Sequence, residues 1–110
     1  MSIAGDLIRG HTDAIILARL IQSDSYGYEI NKTISTLSSG RFELKEATLY
    51  TAFKRLEEQG YITSYWGNSG AGARRRYYTI TPTGRDASHR LIAEWKDTNE
   101  IMDKLLTLEV

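Results

Sequence analysis

The chain has 110 residues, 41% of them hydrophobic and 25% charged, which suits one domain with a modest core and is too short for two. Its 14 basic and 14 acidic side chains exclude a uniformly basic coat, and the absence of cysteine excludes disulfides and thiolate chemistry. No apolar run reaches the ~18 residues of a membrane span, and the N-terminus lacks a signal-peptide pattern, so a cytoplasmic protein with no membrane partner is expected.

The zero net charge hides an uneven distribution. Residues 1–40 carry three basic and four acidic groups, residues 41–76 seven and four, and residues 77–110 four and six. Positive charge therefore gathers in the middle third, where Arg74, Arg75 and Arg76 are adjacent. A local basic surface, and not a basic total, is what binding to DNA requires.

In chain order, Ala14, Ile15, Leu17, Ala18 and Ile21 are spaced as on one helix face, and the run from about Leu7 to Gln22 is the first helix. Ser23, Asp24 and Ser25 break it with turn and N-cap residues. A second helix runs from about Ser25 to Leu37, with Ile30, Ile34 and Leu37 at intervals of four and three, and Ser38-Ser39-Gly40 ends it. Phe42 and Leu44 flank Glu43 in a short alternating stretch that reads as a small strand. The third helix extends from about Glu46 to Gln59 on a stripe of Leu49, Phe53 and Leu56, with Gly60 as its stop. Two β-type runs, Tyr61–Trp66 and Arg76–Thr81, then enclose the glycine-rich segment Gly67 to Gly72, forming a hairpin. Thr81-Pro82 reads as an N-cap and first helical position. The last helix runs to about Leu106, with Gly84 weakening its first turn. Its apolar stripe is Leu91 or Ile92, Trp95, Met102, Leu105 and Leu106, interrupted by Asn99.

This order predicts an α+β, mainly α fold: a winged helix-turn-helix of three helices and a two-stranded wing over residues 1–82, with a long C-terminal dimerisation helix over 83–110. Such folds place the third helix in the DNA major groove and the wing on the adjacent backbone or minor groove. The exposed side of the third helix offers Lys45, Glu46, Thr48, Tyr50, Thr51 and Lys54, groups able to bond base edges or phosphates, and Lys32 on the second helix joins them. Arg74, Arg75 and Arg76 stand on the wing. Strand alternation prevents all three from pointing the same way, and an outward guanidinium binds phosphate bidentately or enters a narrow minor groove.

The segment Tyr26-Gly27-Tyr28-Glu29-Ile30 resembles the tyrosine-glycine signature that opens the second helix of PadR-type regulators. The run Ala47-Thr48-Leu49-Tyr50, followed by Arg55-Leu56-Glu57 and Gly60-Tyr61-Ile62, is similar to their recognition helix and its exit. Arg74-Arg75-Arg76-Tyr77-Tyr78 and Thr81-Pro82-Thr83-Gly84 are similar to their second wing strand and the entry to the last helix. The resemblance covers nearly the whole chain. It implies a sequence-specific transcriptional regulator, by family habit a repressor, that binds a palindromic double-stranded DNA operator as a homodimer. The short C-terminal helix points to the smaller PadR subgroup.

Trp95 is similar in position to the tryptophan that stacks on flat aromatic drugs in the multidrug-sensing branch of that family. Two readings stand side by side: a wall of a ligand pore at the dimer centre, or an anchor of the interface. The pore would be completed by Leu7, Ala14 and Ala18 with Ile92 and Asn99, and a small aromatic effector would be its ligand. Asn99 is neutral where an acidic residue would favour cationic drugs, a role open to Asp13 or Asp97. Trp66 reads as a structural aromatic packed across the hairpin.

Two rivals remain. An enzyme lacks support: His11 and His89 lie in separate helices, no glycine-rich loop opens a helix, and no metal-ligand spacing or cofactor motif is present. A winged helix used only for protein–protein contact, without DNA binding, is the alternative; the retained Arg74, Arg75, Arg76 and Lys54 weigh against it.

Overall fold

The structure, a computed structural model, describes residues 7–68 and 74–107. The elements are α1 (Thr12–Gln22), α2 (Gly27–Leu37), α3 (Glu46–Glu58), β1 (Ile62–Asn68), β2 (Arg74–Ile80) and α4 (Pro82–Leu106). The first helix does not run unbroken from Leu7. Residues 7–9 form a helical turn that stops at Gly10, the His11 amide donates to the Ile8 carbonyl (2.8 Å), and α1 begins at Thr12. Glycine costs about 1 kcal/mol in a helix interior, and the Thr12 hydroxyl donates instead to the Arg9 carbonyl (2.7 Å).

Two helix ends share one device. After α3, the Tyr61 amide donates to the Leu56 carbonyl and the Gly60 amide to that of Glu57, with Gly60 at φ +77°, a Schellman motif. After α2 the same pair of bonds runs from Gly40 to Ser35 and from Ser39 to Thr36, but the left-handed position is held by Ser39 at φ +56°.

The stretch around Phe42 and Leu44 is not a strand. Both side chains are buried while Glu43 points out, so the alternation is genuine, but among the described residues no partner strand lies beside it. Asn31 on α2 supplies the missing bonds: the Leu44 amide donates to Asn31 Oδ1 (2.8 Å) and Asn31 Nδ2 donates to the Leu44 carbonyl (2.7 Å). This clamp fixes the backbone just ahead of α3.

The wing is an antiparallel pair in which Ile62 faces Ile80 and Asn68 faces Arg74. A bridge between Ser25 and Tyr78 adds a third short piece to the far edge of β2, through Tyr78 N–H to Ser25 O (2.7 Å) and Ser25 N–H to Tyr78 O (3.2 Å). The core lies between the three helices and the base of the wing. Ile16, Leu17 and Leu20 meet Ile30 and Ile34, then Leu49, Ala52, Phe53 and Leu56, and it closes on Ile62, Tyr78 and Ile80. Phe53 and Tyr78 stack at 3.9 Å and 14°, which fastens the wing to α3.

Thr81 caps α4, accepting from the Gly84 amide (3.0 Å). Gly84 is where the helix crosses the chain at Tyr61: a Cβ there would sit 2.0 Å from the Tyr61 carbonyl oxygen. Low helix propensity at this site is thus exchanged for close approach. Ala87 and Ser88 are buried and Leu91 and Ile92 half-buried, but every residue from Ala93 to Thr107 is exposed. The radius of gyration, 15.8 Å, exceeds the ~13 Å of a compact chain of this length. The bare half of α4 accounts for the excess.

Candidate nucleic-acid interface

The outward face of α3 carries the residues expected of a reading helix. Lys45, Glu46, Thr51 and Lys54 are exposed, Tyr50 is about half exposed, and Thr48 is partly covered. Two recesses flank them. On one side, Glu46 and Tyr50 meet Lys32, Tyr28, Asn31 and Ser35 in a groove of about 430 Å³ between α2 and α3. On the other, Thr48 and Thr51 meet Arg9, Thr12 and Arg55. Tyr50 is pinned as well as presented: its ring lies edge-on to Phe53 (5.6 Å), and a Cβ at Gly27 would come within 2.7 Å of its hydroxyl. A larger residue at position 27 would push the Tyr50 ring aside.

Arg55 is not free to read DNA. Its guanidinium holds Asp13 of α1 through two bonds, one from Nε at 3.2 Å and a shorter one from Nη2. The hydrogen bond to Asp13 raises its pKa further. The pair fixes α3 to α1, a contact that sequence spacing cannot reveal because 42 residues separate the partners.

The wing divides its three arginines between two faces, as alternation requires. Arg74 and Arg76 share the face that buries Tyr78 and Ile80 near the base, while Arg75 lies on the other with Tyr77. Each guanidinium sits over an aromatic ring: Arg74 over Trp66 at 5.0 Å, Arg75 over Tyr26 at 4.4 Å and Arg76 over Tyr78 at 5.9 Å. Among the described residues, of these three only Arg76 also spends side-chain N–H groups on the protein, donating to Ser64 Oγ (3.1 Å) and reaching Glu57 at 3.5 Å. Arg75 belongs to an aromatic ladder in which Tyr77 meets Tyr26 edge-on (5.3 Å) and stacks on Tyr65 (5.6 Å, 13°). The Tyr65 hydroxyl donates to Asp24 (2.7 Å), which pushes that phenol's pKa up. Trp66 does not pack against the body of the protein; it is 58% exposed.

The second candidate site is an apolar recess of about 260 Å³ between α1 and α4. Ala14, Ala18, Ile92 and Trp95 line it together with Ile8, His11, Ile15 and Leu91, whereas Leu7 and Asn99 lie outside that lining within one chain. Asp13 lies in a neighbouring groove that also reaches Trp95, and Asp97 is exposed. Among the described residues no cluster of acidic and histidine side chains could hold a metal ion, and no helix is long and apolar enough to cross a membrane.

The model of the transcriptional regulator PadR-like family matches residues 16–90. A transcriptional regulator from Clostridium thermocellum is 45% identical, with a TM-score of 0.84 over 96% of this chain and 98% of that one. A PadR family transcription regulator from hypervirulent Clostridium difficile is 37% identical, with a TM-score of 0.76 over 87% and 98%. A protein of Lysinibacillus sphaericus is 44% identical over 92% of this chain and 93% of its own length. The family match covers most of α1, then α2, α3, the wing strands and the first turns of α4. The chain belongs to the PadR-like family of transcriptional regulators, DNA-binding proteins without enzymatic activity.

Proposed function

We propose that this regulator is a homodimeric repressor that binds an imperfect palindromic operator and is released by a flat aromatic effector. The observation that carries the reading is the bare half of α4. Trp95, Ile101, Met102, Leu105 and Leu106 are all exposed, on a stretch of helix in which every residue from Ala93 to Thr107 is exposed. A solvated helical arm this long is marginal by itself, and a contiguous apolar strip needs a cover. A second copy of α4 is the natural one, because a two-fold pairing offers the same strip to itself. That pairing presents two copies of α3 and the wing to one face of DNA, with half-sites about one helical turn, ~10 base pairs, apart or a multiple of it.

Lys32, Lys45, Glu46, Thr48, Tyr50, Thr51 and Lys54, with Arg74, Arg75 and Arg76, form the DNA face in this reading. Thr48 and Tyr50 contribute sequence preference and Lys54 a phosphate contact. The recess lined by Ala14, Ala18, Ile92 and Trp95 takes the effector, with Leu7 and Asn99 completing it in the dimer. An effector releases DNA only by preferring one spacing of the two reading heads over another.

Sedimentation and operator footprinting test the proposal together. The wild type should sediment as a dimer and protect two related half-sites. The double substitution Leu105→Glu with Leu106→Glu should yield folded monomers whose operator affinity falls more than about tenfold. A wild type that stays monomeric and protects a single asymmetric site overturns the proposal.

A further inference from the structure

The wing carries a half-exposed tryptophan that its packing does not explain. Trp66 lies in phase with Ile62 and Ser64 on the core-side face of β1, yet the strand outruns the core and leaves the indole 58% exposed. The group that does touch it is the guanidinium of Arg74, 5.0 Å from the ring. Arg76, on the same face, has its N–H groups turned to Ser64 and Glu57. The Arg74 side chain has no ion pair or hydrogen bond among the described residues; its contact is the Trp66 ring. A guanidinium lying over an indole keeps its donors in the guanidinium plane, directed away from the ring and available as a fork for a planar or tetrahedral anion.

We propose that Trp66 is a positioning residue for DNA: it holds Arg74 over its indole so that the donor edge of the guanidinium meets one backbone phosphate beside the wing. This rests on the reading that the wing lies against DNA. The contribution of the indole is pre-organisation. A free arginine must surrender several rotatable bonds on gripping a phosphate, whereas one already laid on a ring has lost part of that freedom in the unbound protein. The three arginines then have distinct duties, with Arg76 bracing the wing against α3 and Arg74 reaching out from Trp66.

A double-mutant cycle on the full chain, read by titration with a short duplex carrying a footprinted site over a range of salt, tests the assignment. Arg74→Ala should flatten the log–log salt slope by about 0.9, one phosphate's worth of counterion release. Trp66→Ala should weaken binding roughly fivefold, within the range of a cation–π contact, and move the slope toward that of Arg74→Ala. Trp66→Ala placed on Arg74→Ala should add nothing further. Equal affinity and slope for Trp66→Ala and wild type overturn the inference, as does a double variant whose loss is the product of the two singles. Fluorine NMR of fluorotryptophan-labelled protein gives a readout that needs no loss of folding, with the Trp66 signal assigned through Trp66→Phe. That signal should shift when the duplex is added, and an unmoved signal with DNA bound overturns the inference. Failure of the wild type to bind any duplex is a different result, because it removes the DNA reading of the wing itself.

Discussion

Tyr78 shows how one side chain joins the wing to the body. Its ring stacks on Phe53, its backbone bridges to Ser25, and Arg76 lies over its other side. Burial is the main cause that pushes its phenol pKa above the ordinary value near 10. The unfolded chain therefore releases this proton first as pH rises. The stabilising contribution is whole below about pH 10 and is lost as pH climbs through the folded-state pKa. Chemical denaturation should show stability declining on that alkaline side, and Tyr78→Phe, which keeps the stack, should make the decline shallower. An identical alkaline profile for both proteins would sink this account. At this scale the sequence allowed only part of the site to be read. Alternation in Arg74–Ile80 correctly divides the three arginines between faces, but periodicity gives phase and not depth. The sequence suggests a packed Trp66, because nothing in the order of residues tells where along β1 the core ends. Asp13 and Arg55 were invisible as a pair for the same kind of reason: their bond is made by packing α1 on α3.

At the scale of elements, the helix and strand order followed from spacing and stop signals, and the differences have local causes. Gly10 breaks the first helix, and the expected small strand around Phe42 is instead a connection whose backbone is bonded by Asn31. A strand needs a partner, and a mid-helix asparagine gives no sign of which backbone it will hold. Gly84, a weakness by helix propensity, is the point where α4 crosses closest to Tyr61. The two Schellman ends give a direct comparison. Gly60 meets the left-handed requirement without a Cβ, while Ser39 at φ +56° carries one. Ser39→Gly should therefore stabilise the protein by about 1 kcal/mol, raising the melting temperature by roughly 4–8 °C. An unchanged or lower melting temperature would show that Ser39 gains enough from its own contacts to offset the backbone cost.

For the molecule as a whole, the extents of 61 × 30 × 21 Å describe a compact reading head with an arm. Along that arm Ile92, Trp95, Asn99, Met102 and Leu106 recur at intervals of three and four, the phase of a helix seam, with one polar member. A lone asparagine in such a seam fixes register at a cost in affinity. In a pairing of two α4 helices, Asn99→Leu should tighten self-association by about tenfold while broadening the set of cross-links formed along the seam. Weaker association measured by sedimentation would place Asn99 outside the contact. The bridge from Ser25 to Tyr78, together with the Phe53 stack, has a mechanical consequence. These contacts tie the wing to α2 and α3, so in the proposed dimer each head would approach DNA as one unit. In that dimer, adjustment would fall to the joint between the two arms, where leverage is large. α4 has 25 residues and a length of about 37 Å at ~1.5 Å per residue. A tilt of only about 5° at one end displaces the other by roughly 3 Å. That is close to the ~3.4 Å step between base pairs, so in the proposed dimer a small change in arm angle would throw both heads out of step with the groove.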